Sequence, residues 1–292
     1  MATIIITGSK GQLGRAIANA AATDYPGHKL ILTDVDELDI RDADAVDTFL
    51  KVNPADFLVN CAAYTAVDQA EDEPEAAHAL NVLGVANLAI SCNRYNTGLI
   101  HISTDYIFDG ASPHPYFESH TANPVSVYGK SKYEGEISIM YHLKKAIIIR
   151  TSWLYYHGGK NFISTILHKA RETGHLRVVF DQVGSPTYAL DLARIILKIA
   201  GMPQPNNGVV VYHYANRGLA SWYDFAKAIT ALAGISCKID PCATSELRQK
   251  AIRPSFSVLN CSKIATELES EIPHWMDSLK SYLEKENGDN KN

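Results

Sequence analysis

The first fourteen residues constrain the fold more than any other stretch. Thr3-Ile4-Ile5-Ile6-Thr7 is a short β-branched run, of the kind that fills a parallel strand buried on both faces, and Gly8 bounds it. Gly8-Ser9-Lys10-Gly11-Gln12-Leu13-Gly14 follows, then a helical stretch from Arg15 to Ala22. Strand, glycine turn and helix together make an anion site. The glycines let backbone approach a pyrophosphate, and the helix N-terminus offers unpaired N–H groups and the positive end of its dipole. The spacing is G-x-x-G-x-x-G rather than the commoner G-x-G-x-x-G, and ordinary turns also use glycine. Its place straight after the first strand therefore carries the reading of Gly8, Gly11 and Gly14 as dinucleotide-binding.

The alternation continues. Lys29 to Asp34 is a second strand, and Asp34 lies some 20 residues past Gly14. An acid there accepts hydrogen bonds from the adenosine ribose and repels a 2′-phosphate, which favours NADH; a turn or helix cap is the alternative. Asp42 to Val52 has a helical period, and Asp56 to Asn60 is a third strand with a small-residue tail, Cys61 to Thr65. One long helix is expected from Pro74 to about Tyr95. Asn81 within it is either a satisfied buried group that kinks the helix or a support for a site. Leu99 to Ile102 is the fourth strand and Lys145 to Arg150 the fifth. The order is that of an α/β doubly wound parallel sheet of the Rossmann type, with a smaller, interleaved C-terminal substrate lobe.

In such a sheet ligands bind beyond the C-terminal strand ends. Ser103-Thr104-Asp105 lies at one, where Thr104 can hydrogen-bond a carbonyl or simply cap a turn. Tyr106 to Pro124 reads as an active-site loop. Tyr128 and Lys132 then sit four apart, on one face if this stretch is helical. Free tyrosine has a pKa of about 10, so a proton donor at neutral pH needs help of roughly 4 kcal/mol, which a close ammonium could largely supply. The spacing alone does not decide. Tyr25/Lys29, Tyr141/Lys145, Tyr156/Lys160 and Tyr223/Lys227 share it, and the first and third straddle Pro26-Gly27 and Gly158-Gly159. The case for Tyr128 comes from its neighbourhood.

The net charge of −5 argues against general nucleic-acid or anionic-membrane binding. The five cysteines form no C-x-x-C pair, which fits free thiols in a reducing compartment without a metal cluster. No apolar run approaches about 20 residues, and a cytoplasmic protein is expected.

Gly8/Gly11/Gly14, Ser103-Thr104 and Tyr128-x-x-x-Lys132, in that order, resemble the extended short-chain dehydrogenase/reductase superfamily. Several stretches are similar to the dTDP-4-dehydrorhamnose reductase family within it. These are Gly11-Gln12-Leu13-Gly14, Asn60 to Asp68, Ser103 to Gly110, Val127-Tyr128-Gly129-Lys130 and Arg150-Thr151-Ser152-Trp153. Asp181-Gln182-x-Gly184-x-Pro186-Thr187, Arg253-Pro254 and Leu259-Asn260 extend the match into the second half. The resemblance implies reduction of a nucleotide-linked 4-keto sugar by NADPH or NADH, the last step of dTDP-rhamnose synthesis. It makes Tyr128 the proton donor, Lys132 the partner of the nicotinamide ribose that tunes Tyr128, and Thr104 the holder of the carbonyl. It places Gly11, Gln12, Leu13, Asp39, Ile40, Ala63, Tyr64 and Thr65 against cofactor, and Thr104, Asp105, Tyr128 and Trp153 against substrate. It allows a homodimer. It argues against a metal-bridged one, because Arg15-Ala16 stands where some members carry an acidic metal ligand. Tyr64 stands where histidine is frequent.

The second half reads as helix (161–173), strand (176–180), helix (189–200), linker (201–208), strand (209–215) and helix from Ser221. Both strands are expected to rejoin the main sheet. Trp153 could cover a sugar ring or simply pack in a core. Arg253 could grip a diphosphate bidentately or serve as an interlobe salt bridge. The expected division is residues 1–151 for the cofactor domain, 152–285 for the substrate lobe and 286–292 for a disordered tail. Two other readings stay open: an epimerase or dehydratase of the same superfamily, and a silent nucleotide-binding regulatory subunit.

Overall fold

Six parallel strands form the sheet that carries the site. The computed structural model describes residues 1–203 and 208–289. In chain order the N-terminal half runs β1 (Thr3–Thr7), α1 (Gln12–Thr23), β2 (Lys29–Leu32), α2 (Ala43–Val52), β3 (Phe57–Asn60), α3 (Val67–Ala70), α4 (Pro74–His78), α5 (Gly84–Tyr95), β4 (Gly98–Thr104), α6 (Val127–His142) and β5 (Lys145–Thr151). The strand Gly208–His213 joins beyond β5, so the order across the sheet is β2, β1, β3, β4, β5 and 208–213. Strand order reverses between β1 and β3, which opens a crevice above their C-terminal ends.

The strands are apolar on both faces because helices cover both. Ile4 and Ile6 of β1 pack on the side of α1 and the helix Ala189–Ala200. Ile5, Leu58, Leu99 and Ile148 pack on the other side with α2, α5 and α6. This period-two alternation with both faces buried is why the strands read as continuous hydrophobic runs.

The structure corrects three expectations. Residues 175–179 form a strand that pairs in parallel with Lys238–Cys242 in a separate two-stranded sheet, and do not rejoin the main sheet. The sheet already ends at 208–213, and periodicity names no partner. The helix expected from Pro74 to Tyr95 is interrupted by a π turn at Ala79–Leu83, centred on Asn81. The polar end of the chain is helical through Asp289, in the helix Trp275–Asp289, anchored by buried Leu279, Tyr282 and Leu283. Of the expected disordered tail, only residues 290–292 lie outside the described residues, as do residues 204–207 of the expected linker.

Candidate active site

The glycine turn is built for close approach. Gly8 has φ +65°, and a Cβ there would lie 2.7 Å from the Ala62 nitrogen. A Cβ at Gly14 would lie 2.5 Å from the Ser9 Cα. Gly11 is the N-cap of α1 and offers no side chain, so the first N–H groups of the helix are left for a ligand. These features fit a pyrophosphate. Beyond the turn lies a cavity of about 510 Å³ walled by Asp34, Asp39, Ile40 and Ala63. Asp34 also holds the turn, accepting from the Lys10 backbone N–H at 2.9 Å, as the turn reading expects. Asp39 pairs with Arg41 at 2.7 Å.

A second cavity, of about 450 Å³, continues from the glycine turn over β4 and α6. Gln12, Leu13, Thr65, Thr104, Asp105, Tyr128, Lys132 and Trp153 all line it. Tyr64 lines neither cavity. Its hydroxyl donates to Glu73 at 2.8 Å, while Asn81 accepts from its backbone N–H (2.9 Å) and donates to its carbonyl (3.1 Å). Asn81 also donates to Ser131 at 2.9 Å, so the residue that widens the helix clamps the 61–65 tail against α6. Both readings of Asn81 are therefore realised.

Ser126 caps α6 by accepting from the Gly129 N–H at 3.1 Å, which starts the helix just before Tyr128. Tyr128 and Lys132 occupy one face, a turn apart. Tyr128 is half-buried at the cavity wall. Burial raises its pKa above the ordinary tyrosine value, the nearby Thr104 hydroxyl pulls it back, and Asp105 and Tyr106 push it up. Lys132 is engaged by β4. Its Nζ donates to the Ile102 carbonyl at 2.7 Å and lies 3.3 Å from His101 Nε2, and burial draws its pKa down to about 8. Thr104 donates to Asp105 at 3.1 Å and accepts from the Tyr106 N–H at 3.2 Å, capping a 3-10 turn while facing the cavity. Burial pushes the Asp105 carboxyl up to about 6, with Ser257 and Thr104 partly offsetting it.

Trp153 has φ +47°, a strained backbone for a bulky residue. Its indole stacks on Trp222, with centroids 3.5 Å apart and planes 7° from parallel. Gly184 lies under the ring, where a Cβ would come within 2.6 Å of Trp153 Cε2. Trp222 was not singled out from sequence; its place at the start of a capped helix gave no sign of the loop it would face.

Arg253 donates to Asp68 at 2.8 Å and to the Tyr106 hydroxyl at 3.1 Å, which realises the interlobe salt bridge. Tyr106 in turn meets Tyr128 edge-on, with centroids 5.5 Å apart. Arg253 also lines a third cavity, of about 720 Å³, whose wall includes Phe162, Lys169, Gln182, Gln249 and Trp222. Trp222 is common to the second and third cavities. Of the other wall residues named, the sequence singles out only Gln182, as part of the 181–187 motif, because ordinary helix and loop residues surround a pocket only after tertiary packing.

The sequence model of the RmlD substrate binding domain matches residues 1–287. A spore coat polysaccharide biosynthesis protein, SpsK, of Bacillus subtilis is 38% identical over 284 residues, covering 97% of this chain and 98% of the relative. A dTDP-4-dehydrorhamnose reductase of Mycolicibacterium smegmatis is 40% identical over 280 residues, covering 94% and 83%. Among solved structures, the dTDP-4-dehydrorhamnose reductase of Bacillus anthracis in complex with NADP superposes with a TM-score of 0.92 at 34% identity, covering 97% of this chain and 99% of that one. The orthologue from Clostridium acetobutylicum gives 0.91 at 38% identity, covering 98% and 99%.

Proposed function

The chain belongs to the RmlD substrate binding domain family, and on that premise we propose that it reduces the 4-keto group of dTDP-4-dehydro-L-rhamnose to give dTDP-L-rhamnose, with NADPH or NADH as reductant. The observation that carries this reading is the convergence of Thr104, Tyr128 and Lys132 on a cavity continuous with the glycine turn. When bound, the reduced nicotinamide supplies the hydride. The uncapped start of α1 and the bare glycine turn would hold the cofactor's pyrophosphate, and Asp34 would serve its adenosine ribose.

The protein's own work is to orient the ketone and move one proton. Thr104 hydrogen-bonds the ketone oxygen, and Tyr128 donates its proton to that oxygen as charge develops there, leaving a secondary alcohol and a phenolate. Burial keeps Tyr128 protonated until then, the correct state for a donor. For Lys132 to stabilise the phenolate, its amine must turn from the Ile102 carbonyl and carry a proton. The stacked Trp153 and Trp222 cover the sugar. The third cavity, with its mixed apolar and cationic wall and Arg253 at its edge, takes the nucleotide end.

The test is net consumption of added NADPH or NADH by dTDP-4-dehydrorhamnose, each reductant in parallel. Stoichiometric consumption with formation of dTDP-rhamnose supports the reading. Isomerisation or dehydration without net consumption would replace it with the epimerase or dehydratase alternative.

A further inference from the structure

Three neighbouring strands carry a polar row on the face covered by α6. Thr7, Asn60 and His101 are register partners across β1, β3 and β4, and all three are buried. Two residues earlier the same face holds Ile5, Leu58 and Leu99, so the row interrupts an otherwise apolar core. Such groups persist in a core only when hydrogen-bonded, and here each bond dictates the next.

The Ala62 backbone N–H can only donate, and it meets Asn60 Oδ1 at 3.1 Å. The Thr7 hydroxyl donates to the same oxygen at 2.7 Å. Asn60 Nδ2 therefore faces His101 Nδ1 at 3.1 Å and donates to it. With Nδ1 bare, a neutral imidazole carries its hydrogen on Nε2, which points at Lys132 Nζ 3.3 Å away. Two donors cannot share that contact. The His101 N–H needs the lone pair of an uncharged amine, while Nζ donates to the Ile102 carbonyl.

We propose that Thr7, Asn60 and His101 form a positioning row that aims Lys132 and favours the uncharged form of its amine in the cofactor-free protein. The row rests on the proposed role of Lys132 as the lysine serving Tyr128, and it makes the charging of that lysine depend on strand residues outside the reacting centre. Burial lowers the pKa of both groups in the contact and takes His101 far below the ordinary histidine value, with the charge on Lys132 adding to the lowering of His101. The other titratable groups facing Lys132 are Cys61 after β3, and Tyr128 and Glu136 on α6. Glu136 favours the charged amine, but its carboxylate is committed to Arg150 at 2.7 Å and to the Ser103 hydroxyl.

The test is histidine ¹⁵N NMR on the full chain, with His101 assigned by its contact to Asn60. At neutral pH the wild-type ring should show hydrogen on Nε2 and a bare Nδ1. Asn60→Asp presents an oxygen to Nδ1, so the hydrogen should move to Nδ1 and Nε2 should become an acceptor for an ammonium. The alkaline limb of kcat/KM should then move up by about one pH unit. A wild-type ring with hydrogen on Nδ1, or an imidazolium, overturns the row without recourse to turnover or to any variant. A switched tautomer with an unmoved alkaline limb overturns the link to Lys132. Failure of wild-type turnover, with the expected tautomer present, counts against the proposed reaction and leaves the row standing.

Discussion

Tyr128 is a phenol kept protonated by its surroundings and placed at the wall of a cavity. Tyr128→Phe removes the proton and little volume. Its turnover should fall by about 100-fold or more, while cofactor affinity, measured by fluorescence titration, stays within a few-fold. Normal turnover of the ketosugar by this variant would remove Tyr128 from the donor role. Asp105 carries a different cost. Its pKa rises to about 6 in the folded chain from about 3.9 in an unfolded one, so the stability it contributes is complete below pH 4 and is lost as pH rises through 6. The loss at pH 8 is of order 3 kcal/mol. Asp105→Asn, which keeps an acceptor for Thr104, should melt at a higher temperature than wild type at pH 8, and the gap should close at pH 4. An equal gap at both pH values would show that the carboxyl is not buried as described. Among these residues, the sequence singled out Tyr128, Lys132 and Thr104 by their neighbourhood and by a strand end. It did not locate the bonds that engage Lys132, because those come from His101 and Ile102 on β4. The signal was present: Thr7, Asn60 and His101 are polar at the parity of Ile5, Leu58 and Leu99, and only strand register shows that they touch.

Helix α6 positions two of the three central side chains, and glycine lets it approach its neighbours. A Cβ at Gly129 would overlap the Tyr106 carbonyl, and one at Gly135 would overlap the Asn81 carbonyl. Gly129→Ala should therefore lower stability by about 2–4 kcal/mol in denaturant unfolding and reduce turnover, although it removes no chemical group. Unchanged stability would mean that α6 can shift without consequence. While α1 starts three residues earlier than read, the six strands of the main sheet and the helix α2 were legible in the sequence to within one or two residues, since hydrophobic period is a local property. The π turn at Ala79–Leu83 was not. It is fixed by Asn81 bonding to Tyr64 and Ser131, both distant in sequence. The partner of strand 175–179 was hidden for the same reason.

Across the whole molecule, the glycine turn and the second half of the chain are tied together. Gln12 Oε1 accepts from the Tyr156 N–H at 2.8 Å, and Arg15 donates to the Gly158 carbonyl at 2.9 Å. Arg253 crosses from the second lobe to Asp68 and Tyr106. Arg253→Met should raise KM for the nucleotide sugar more than about tenfold with little change in cofactor affinity, because one bidentate charged contact is worth about 1.5–3 kcal/mol. An unaltered KM would assign Arg253 to interlobe bracing alone. Sequence placed Arg253 in the second half but could not choose between these roles, since both need the same guanidinium and differ only in what stands opposite.

The indole pair also decides where this pocket could be reshaped. Trp153 is held by a left-handed backbone above and by Gly184 beneath, so replacing it disturbs the loop as well as the ring. Trp222 starts a regular helix behind a complete capping box, and its ring can be trimmed without asking the main chain to change. A programme to admit bulkier sugars would begin at that second indole and leave its stacked partner untouched.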